Sequence, residues 1–187
     1  MSDTLRVQWT IVPQVAPQPW LNCNRCGGPK PFRSSGKIRV NANGKRLDAW
    51  LIYKCTACDS TWNRPILERQ PVHAALTALR ADEPGLVRRL EFDTTALRRH
   101  AARVEQFDDV VMTRIVLSES VLPERRLEIL FSVPQPTALR LDRLLANELQ
   151  VPRSRLPLIV PDETSRALRR SVRDGQRVSI DLARLQA

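Results

Sequence analysis

The chain has 187 residues, of which 42% are hydrophobic, and its 30 Lys or Arg against 20 Asp or Glu give a net charge of +10. This length suits one domain or two small ones, and the composition is globular rather than disordered or fibrous. No apolar run approaches the ~18 residues that a membrane helix needs, and the N-terminus lacks the pattern of a secretory signal. We therefore expect a cytoplasmic protein, and the charge excess makes an anionic partner plausible.

The positive charge is concentrated at the two ends of the chain. Residues 1–70 have 11 basic and 4 acidic side chains, residues 71–139 have 9 and 10, and residues 140–187 have 10 and 6. Such asymmetry indicates that the ends, rather than the middle, meet any polyanion. Proline-rich stretches at 13–19 and 134–136 indicate an extended linker and a boundary. We predict three parts: an N-terminal domain at 1–70, a connecting region at 71–136 and a basic module at 137–187.

The four cysteines form two Cys-x-x-Cys pairs, Cys23 with Cys26 and Cys55 with Cys58, separated by 28 residues. Four soft thiolates in two such pairs are typical of a closed tetrahedral zinc site, although iron also suits this ligand set. Disulfides of a secreted protein and a redox Cys-x-x-Cys are weaker alternatives, because neither a signal peptide nor a βαβ pattern is visible. Four thiolates leave no open position, so we expect a structural metal.

The segment around the second pair predicts a β-rich zinc ribbon. Short strands are expected at 38–40, 47–54 and 60–63, with an Asn-Gly hairpin turn at 41–46. Its aromatic residues either bind looped nucleic acid together with the neighbouring cations or form the ribbon core, and we favour the core for Trp50 and Trp62. His73 and His100 fall outside the metal pattern. The cations of this segment are Arg25, Lys30, Arg33, Lys37, Arg39, Lys45, Arg46, Lys54 and Arg64.

The middle of the chain combines helices and strands. Apolar periodicity predicts helices at 71–80, 83–92 and 93–104, followed by strands at 110–117 and 127–133. We find no nucleophile–base pair, phosphate loop or open metal site here, so the sequence favours a protein that is not an enzyme and has no small-molecule substrate.

The last third predicts a small, basic α/β arrangement. An amphipathic helix at 139–149 is followed by a strongly basic helix at 164–173, an Asp174-Gly175 turn and a strand at 177–182. The arginines of these two helices could form one positive face for RNA phosphates. The alternative is a solvated basic face of a packing domain. The six candidates are Arg140, Arg143, Arg166, Arg169, Arg170 and Arg173.

This last third resembles the S4 RNA-binding module. Arg140-Leu141-Asp142 matches the Arg-Leu-Asp helix that opens the module, and Asp174-Gly175 with the strand after it matches its glycine turn and strand. The Ser-Arg of the second helix has two candidate positions, Ser154-Arg155 and Ser165-Arg166, while Val178-Ser179-Ile180 stands where the family usually has Val-Asn-Gly. The resemblance implies an S4-like fold that binds RNA.

The order of motifs along most of the chain is also similar to a family of small bacterial proteins known as a domain of unknown function. That resemblance implies a bacterial, cytosolic source and no assigned activity. The segments that carry it are Trp9-Thr10-Ile11-Val12-Pro13, Cys23 to Gly27, Val40 to Lys45, Trp50 to Cys58 and Thr61-Trp62-Asn63.

Together these patterns predict an α+β protein with an N-terminal β-rich zinc ribbon, a helical middle and a small C-terminal α/β S4-like module. The leading hypothesis is a non-enzymatic zinc-ribbon protein that binds structured RNA, such as ribosomal or transfer RNA, through its C-terminal arginines. The alternative is an adaptor whose ribbon and neutral middle bind another protein. It predicts a protein partner that stays bound after nuclease treatment and in high salt.

Overall fold

The computed structural model describes residues 3–43, 46–71, 76–118 and 125–185. The chain divides into two compact units, and each is described by itself. The terminal unit combines Met1–Val15 with Phe107–Ala187, and the insert unit is the continuous segment Ala16–Gln106. These boundaries differ from those expected at residues 70 and 136. The reason is that the first strand pairs with residues 97 to 122 positions further along the chain, which no local sequence pattern reveals.

The described residues contain nine strands and seven short helices, so the fold is mixed α+β. The strands are β1 Thr4–Pro13, β2 Gln18–Cys23, β3 Gly28–Asn43, β4 Arg46–Cys55, β5 Thr61–Pro71, β6 Arg103–Glu105, β7 Val110–Ser118, β8 Arg126–Ser132 and β9 Arg177–Asp181. The helices are α1 Leu76–Arg80, α2 Pro84–Glu91, α3 Thr94–Arg98, α4 Leu141–Leu149, α5 Leu156–Ile159, α6 Asp162–Ala167 and α7 Leu182–Leu185. None of the described helices has the length and apolar character that crossing a bilayer requires.

The terminal unit is built on a four-stranded sheet in the order β7-β1-β8-β9. Strand β1 runs parallel to β8 and antiparallel to β7. Period-two alternation along β1 buries Val7, Trp9 and Ile11, and the Trp9 ring meets Phe131 of β8 edge-on at 5.8 Å between centroids. The buried leucines of α4 and α5 pack on this face, which forms the core of the unit. The predicted strands at 110–117 and 127–133 and the helix at 139–149 are confirmed.

Helix α4 begins without a side-chain cap, and the segment after α6 supplies acceptors for its first N–H groups. The Leu141 N–H donates to the Arg170 carbonyl at 3.0 Å, and the Asp142 N–H donates to the Leu168 carbonyl at 2.7 Å. The expected basic helix at 164–173 is therefore wrong in its second half. Helix α6 ends at Ala167, because the next carbonyls bond to α4 instead of continuing a helix.

The insert unit is built on a five-stranded antiparallel sheet in the order β5-β4-β3-β2-β6. Strand β4 buries every second residue from Leu47 to Cys55, and Val87 of α2 and Leu97 of α3 complete this core. Glu83 begins α2 by accepting the N–H groups of Gly85 and Leu86 at 2.9 and 2.6 Å.

The expected helix at 93–104 is too long: α3 ends at Arg98, and Arg103–Glu105 pairs with β2 as a strand. The predicted Asn-Gly turn includes residues 44 and 45, and the predicted helix at 71–80 includes residues 72–75 with His73. These positions lie outside the described residues.

Candidate metal centre and arginine pocket

The sheet of the insert unit brings the two Cys-x-x-Cys pairs together. Strands β2 and β4 flank β3 and both run antiparallel to it, so their carboxyl ends lie at the same end of the sheet. Cys23 is the last residue of β2 and Cys55 the last of β4, and each strand is followed by a tight turn that presents the second cysteine. The 28 intervening residues are thus used to form β3 and return along β4.

The four thiols meet the geometric requirement for a metal site. All four Sγ atoms lie within 4.8 Å of one another, and those of Cys23 and Cys58 are 3.5 Å apart. A tetrahedral ion with bonds of about 2.3 Å places its sulfur ligands about 3.8 Å apart. Cys23 and Cys55 are buried, whereas Cys26 and Cys58 are half-buried. The cluster can therefore hold a metal ion.

Hydrogen bonds separate the pKa values of these thiols. The Ser60 hydroxyl, 3.0 Å from Cys58 Sγ, and the Ser60 N–H lower the pKa of Cys58 to about 6. The hydrogen bond with Cys58 and burial raise the pKa of Cys26 to about 12. Burial alone would raise the pKa of Cys23, but the Cys26 N–H and other donors outweigh it and the pKa is lowered. A metal would displace the remaining protons, because thiolates are the ligating form.

Both cysteine turns close through a residue in the left-handed region. The N–H groups of Cys26 and Gly27 donate to the Cys23 carbonyl at 3.1 and 2.9 Å, and the Asp59 N–H donates to the Cys55 carbonyl at 3.0 Å. Gly27 has φ of +70° and Asp59, at the equivalent place in the second turn, has φ of +58°. Glycine adopts this conformation without steric cost, whereas aspartate does so at some cost.

We predict opposite stability effects for substitutions at these two turns. Gly27→Ala should lower the free energy of unfolding of the metal-loaded protein by about 1 kcal/mol, because alanine is strained at this φ. Asp59→Gly should raise it by up to about 1 kcal/mol, since the exposed ion pair of Asp59 with Arg33 contributes little. Urea denaturation measures both. Gly28→Ala is the control, because Gly28 has an ordinary φ and open space around it; an equal loss at residues 27 and 28 would contradict the prediction.

The sequence places Arg64 among the cations of the ribbon, whereas in the structure its side chain is buried at 2% exposure. Its Nη1 donates to the Leu90 carbonyl at 2.7 Å and lies 3.4 Å from the Tyr53 hydroxyl, whose pKa burial raises to about 12. The guanidinium thereby satisfies a carbonyl near the C-terminus of α2, where a positive charge is favourable. Arg64 joins this helix to the sheet and does not face solvent. The sequence offered no signal for this, because alternation in β5 is irregular.

The two tryptophans expected in the ribbon core differ in position. Trp62 packs against Tyr53, at 5.2 Å between ring centroids, and against His100 at 5.5 Å. It therefore contributes to the core cluster around the cysteines. Trp50 pairs across the sheet with Arg39, whose guanidinium carbon lies 6.0 Å from its ring, and it belongs to none of the described core clusters. The expectation holds for Trp62 and is wrong for Trp50.

A pocket of about 690 Å³ in the terminal unit gathers three of the six predicted arginines. Arg140 precedes α4, Arg166 lies on α6, and Arg169 lies in the segment whose neighbouring carbonyls bond to α4. Arg153, which sequence analysis did not single out, adds a fourth guanidinium from the 3₁₀ turn Arg153–Arg155. Ser154 and Ser165, from the two competing Ser-Arg positions, line the same pocket together with Asp142, Pro157 and Leu168.

The other three predicted arginines lie outside this lining. Arg143 forms an ion pair with Asp108. Arg170 and Arg173 are exposed. Of the six arginines predicted to form one positive face, three therefore line this pocket and three lie outside its lining, and their role in RNA binding stays a prediction.

A model of one protein family matches residues 40–167, which is more than half of the chain and includes parts of both units. The chain belongs to the DUF1062 family. This family is described as a protein of unknown function, so DUF1062 membership assigns no activity to either site. No curated protein and no solved structure matches the chain. The DUF1062 match begins within β3 and so covers Cys55 and Cys58 but not Cys23 and Cys26.

Proposed function

We propose that the chain is a non-enzymatic RNA-binding protein with a structural zinc ion, and that it binds structured RNA such as ribosomal or transfer RNA. The observation that carries the proposal is the convergence of Arg140, Arg153, Arg166 and Arg169 on one pocket of the terminal unit. Arginine is the residue best suited to phosphate, because its planar fork donates two parallel hydrogen bonds.

The charge of the insert unit supports the same proposal. This unit has 16 Lys or Arg and 8 Asp or Glu, whereas the terminal unit has 14 and 12. Most of the excess positive charge therefore lies outside the pocket. There it would attract a polyanion over a distance of about one Debye length and so increase the association rate. Arg39 beside Trp50 on the open side of the sheet offers a cation next to an aromatic face. Such a pair can bind an unpaired base by stacking.

Zinc is proposed for the four thiols because they form a complete set of soft ligands. Cys23, Cys26, Cys55 and Cys58 would hold the ion, and the ion would tie the ends of β2 and β4 together. An S4-like relationship for the terminal unit is proposed from the order of α4, α6, the Asp174-Gly175 turn and β9. Ser154 of the first Ser-Arg position and both Ser165 and Arg166 of the second line the pocket. Arg155 instead donates to the Arg184 carbonyl, so the second position supplies the proposed RNA contact.

The test is an RNA titration at two salt concentrations with the quadruple variant Arg140→Ala, Arg153→Ala, Arg166→Ala and Arg169→Ala, which removes the four guanidiniums of the pocket. We expect its affinity to fall at least tenfold, and the slope of log K against log salt to decrease by about 3, because up to four phosphate contacts are lost. The matched control removes four exposed arginines outside the pocket: Arg125, Arg126, Arg177 and Arg184. Equal affinities of the wild type and the quadruple variant would rule out this site.

The adaptor alternative has one observation in its favour. Strand β7 is at the edge of its sheet, and Val111, Ile115, Val116 and Leu117 are 51–62% exposed. Apolar residues exposed on an edge strand can pair with a strand of another protein. This alternative predicts a protein partner that remains bound after nuclease treatment in high salt, and that is lost when Ile115 is replaced by Lys.

A further inference from the structure

The arginine pocket contains more positive charge than its own carboxylate can balance. The side chains of Arg153, Arg166 and Arg169 have no hydrogen-bond or ion-pair partner among the residues that the structure describes. Asp142 is the only acidic residue in the described lining. Three guanidiniums around one cavity repel one another, so the arrangement has a cost that an anionic ligand would remove.

Asp142 already forms an ion pair with the fourth guanidinium, that of Arg140. Its Oδ1 accepts from Arg140 Nε at 3.0 Å and from the Arg143 N–H at 2.8 Å, and its Oδ2 accepts from Arg140 Nη2 at 2.5 Å. The carboxylate is 9% exposed, whereas the Arg140 side chain is 45% exposed. Asp142 thus fixes the plane of Arg140 and leaves Nη1 available for a ligand. This is the geometry of a positioning residue behind a binding residue.

The donors reach the pocket from several parts of the chain. Arg140 comes from the start of α4, Arg153 and Ser154 from the 3₁₀ turn, and Ser165, Arg166 and Arg169 from α6 and the segment after it. A cavity with donors on several sides suits a group whose acceptor oxygens point in several directions. A phosphate group at the end of a chain has three such oxygens, whereas an internal phosphodiester has two.

We propose that this pocket binds a phosphomonoester, the terminal phosphate of an RNA strand, in preference to the phosphodiesters within it. Arg140 and Asp142 balance each other, so the three remaining guanidiniums leave a charge of about +3. A phosphomonoester carries about −1.5 to −2 at neutral pH, and a phosphodiester carries only −1. The dianion therefore neutralises more of the pocket. The inference rests on the proposed function, since RNA is the carrier of the phosphate.

The experiment compares one short RNA oligonucleotide in three forms: with a 5′-phosphate, with a 3′-phosphate, and with hydroxyl groups at both ends. We expect one phosphorylated form to bind about tenfold more tightly than the hydroxyl form, as charge-assisted hydrogen bonds would give. Inorganic phosphate should remove this preference by competition. Comparison of the oligonucleotide with a 5′-phosphate and the one with a 3′-phosphate identifies which end of the RNA is bound.

Two variants assign the preference to the pocket. Arg166→Ala with Arg169→Ala should abolish the preference and leave the melting temperature unchanged or raised, because repulsion is relieved. Arg166→Lys with Arg169→Lys keeps the charge but loses the planar forks, and should retain only part of the preference. Arg125→Ala with Arg126→Ala removes the same charge elsewhere in the unit and should retain all of it.

The outcomes separate this inference from the proposed function. Equal affinity for all three oligonucleotides, with binding still lost in the quadruple arginine variant, would overturn the terminal-phosphate inference alone. A preference that survives the Arg166→Ala and Arg169→Ala double variant would also overturn it. A folded, metal-loaded protein that binds none of the three forms would overturn the proposed function and the inference with it.

Discussion

Removing the metal from the four-cysteine site is expected to unfold the insert unit while the terminal unit remains folded. Structural zinc contributes on the order of 10 kcal/mol to the folding of small domains, and the core of the insert unit includes Cys23 and Cys55 themselves. The core of the terminal unit has no residue of the site. Calorimetry with and without a chelator should therefore show one transition lost and one retained.

Substitution of a ligand should have the same effect as the chelator. Cys55→Ser should lose the metal, as measured by elemental analysis, together with the transition of the insert unit. Ala57→Ser, an exposed position within the same turn, is the control and should keep both. A Cys55→Ser protein that retains one metal per chain and melts like the wild type would show that the site does not support the fold.

Truncation of the buried guanidinium is expected to be the most destabilising change among the arginines. Arg64→Ala should lower the free energy of unfolding by about 3 kcal/mol, because it leaves a cavity beneath α2 and removes the donor to the Leu90 carbonyl. Arg64→Met keeps most of the stem volume and should cost less than about 1.5 kcal/mol. Denaturant unfolding of the metal-loaded protein measures both.

Arg39→Ala is the matched control for Arg64, because Arg39 lies on the same sheet and is exposed. It should change stability by less than about 0.5 kcal/mol. If Arg64→Ala and Arg39→Ala were equally mild, the contact of Arg64 with α2 would not be contributing to the fold. Arg64→Met should also leave RNA affinity unchanged, unlike the substitutions in the arginine pocket.

The cysteine cluster could be predicted from sequence because its signal is local. Two Cys-x-x-Cys pairs define the ligands whatever lies between them, and the structure confirms that all four thiols come together. Helix α4 and strands β7 and β8 were also predictable, since each has its own apolar period. The pattern does not select the metal, because four soft thiolates suit both zinc and iron.

The features that sequence analysis missed all depend on contacts between distant residues. The sequence pattern predicts that Arg64 is a surface cation, whereas in the structure α2 covers its side chain. The segment after α6 has a helical pattern, yet its carbonyls bond to α4, which begins without a side-chain cap. The two Ser-Arg positions seemed to compete because a linear comparison cannot show that the serines of both line one pocket. In each case a tertiary contact overrode a local preference.

The insertion of one unit within the other has a consequence for how the chain assembles. Strand β1 pairs with β8 in a register that joins Thr4 to Arg126. During synthesis at 5–20 residues per second, β1 therefore waits roughly 6 to 25 s for that partner. The insert unit is continuous and can fold during this interval.

Once folded, the insert unit brings its own ends together, because Gln18 pairs with Glu105. The loop that must close to pair β1 with β7 then shrinks from the 96 residues between Pro13 and Val110 to a few, which lowers the entropic cost of closure by about 2 to 3 kcal/mol. By bringing its own two ends together, the folded insert unit keeps the two chain segments of the terminal unit near each other. Loss of its metal would slow the assembly of the arginine pocket, although no cysteine contacts that pocket.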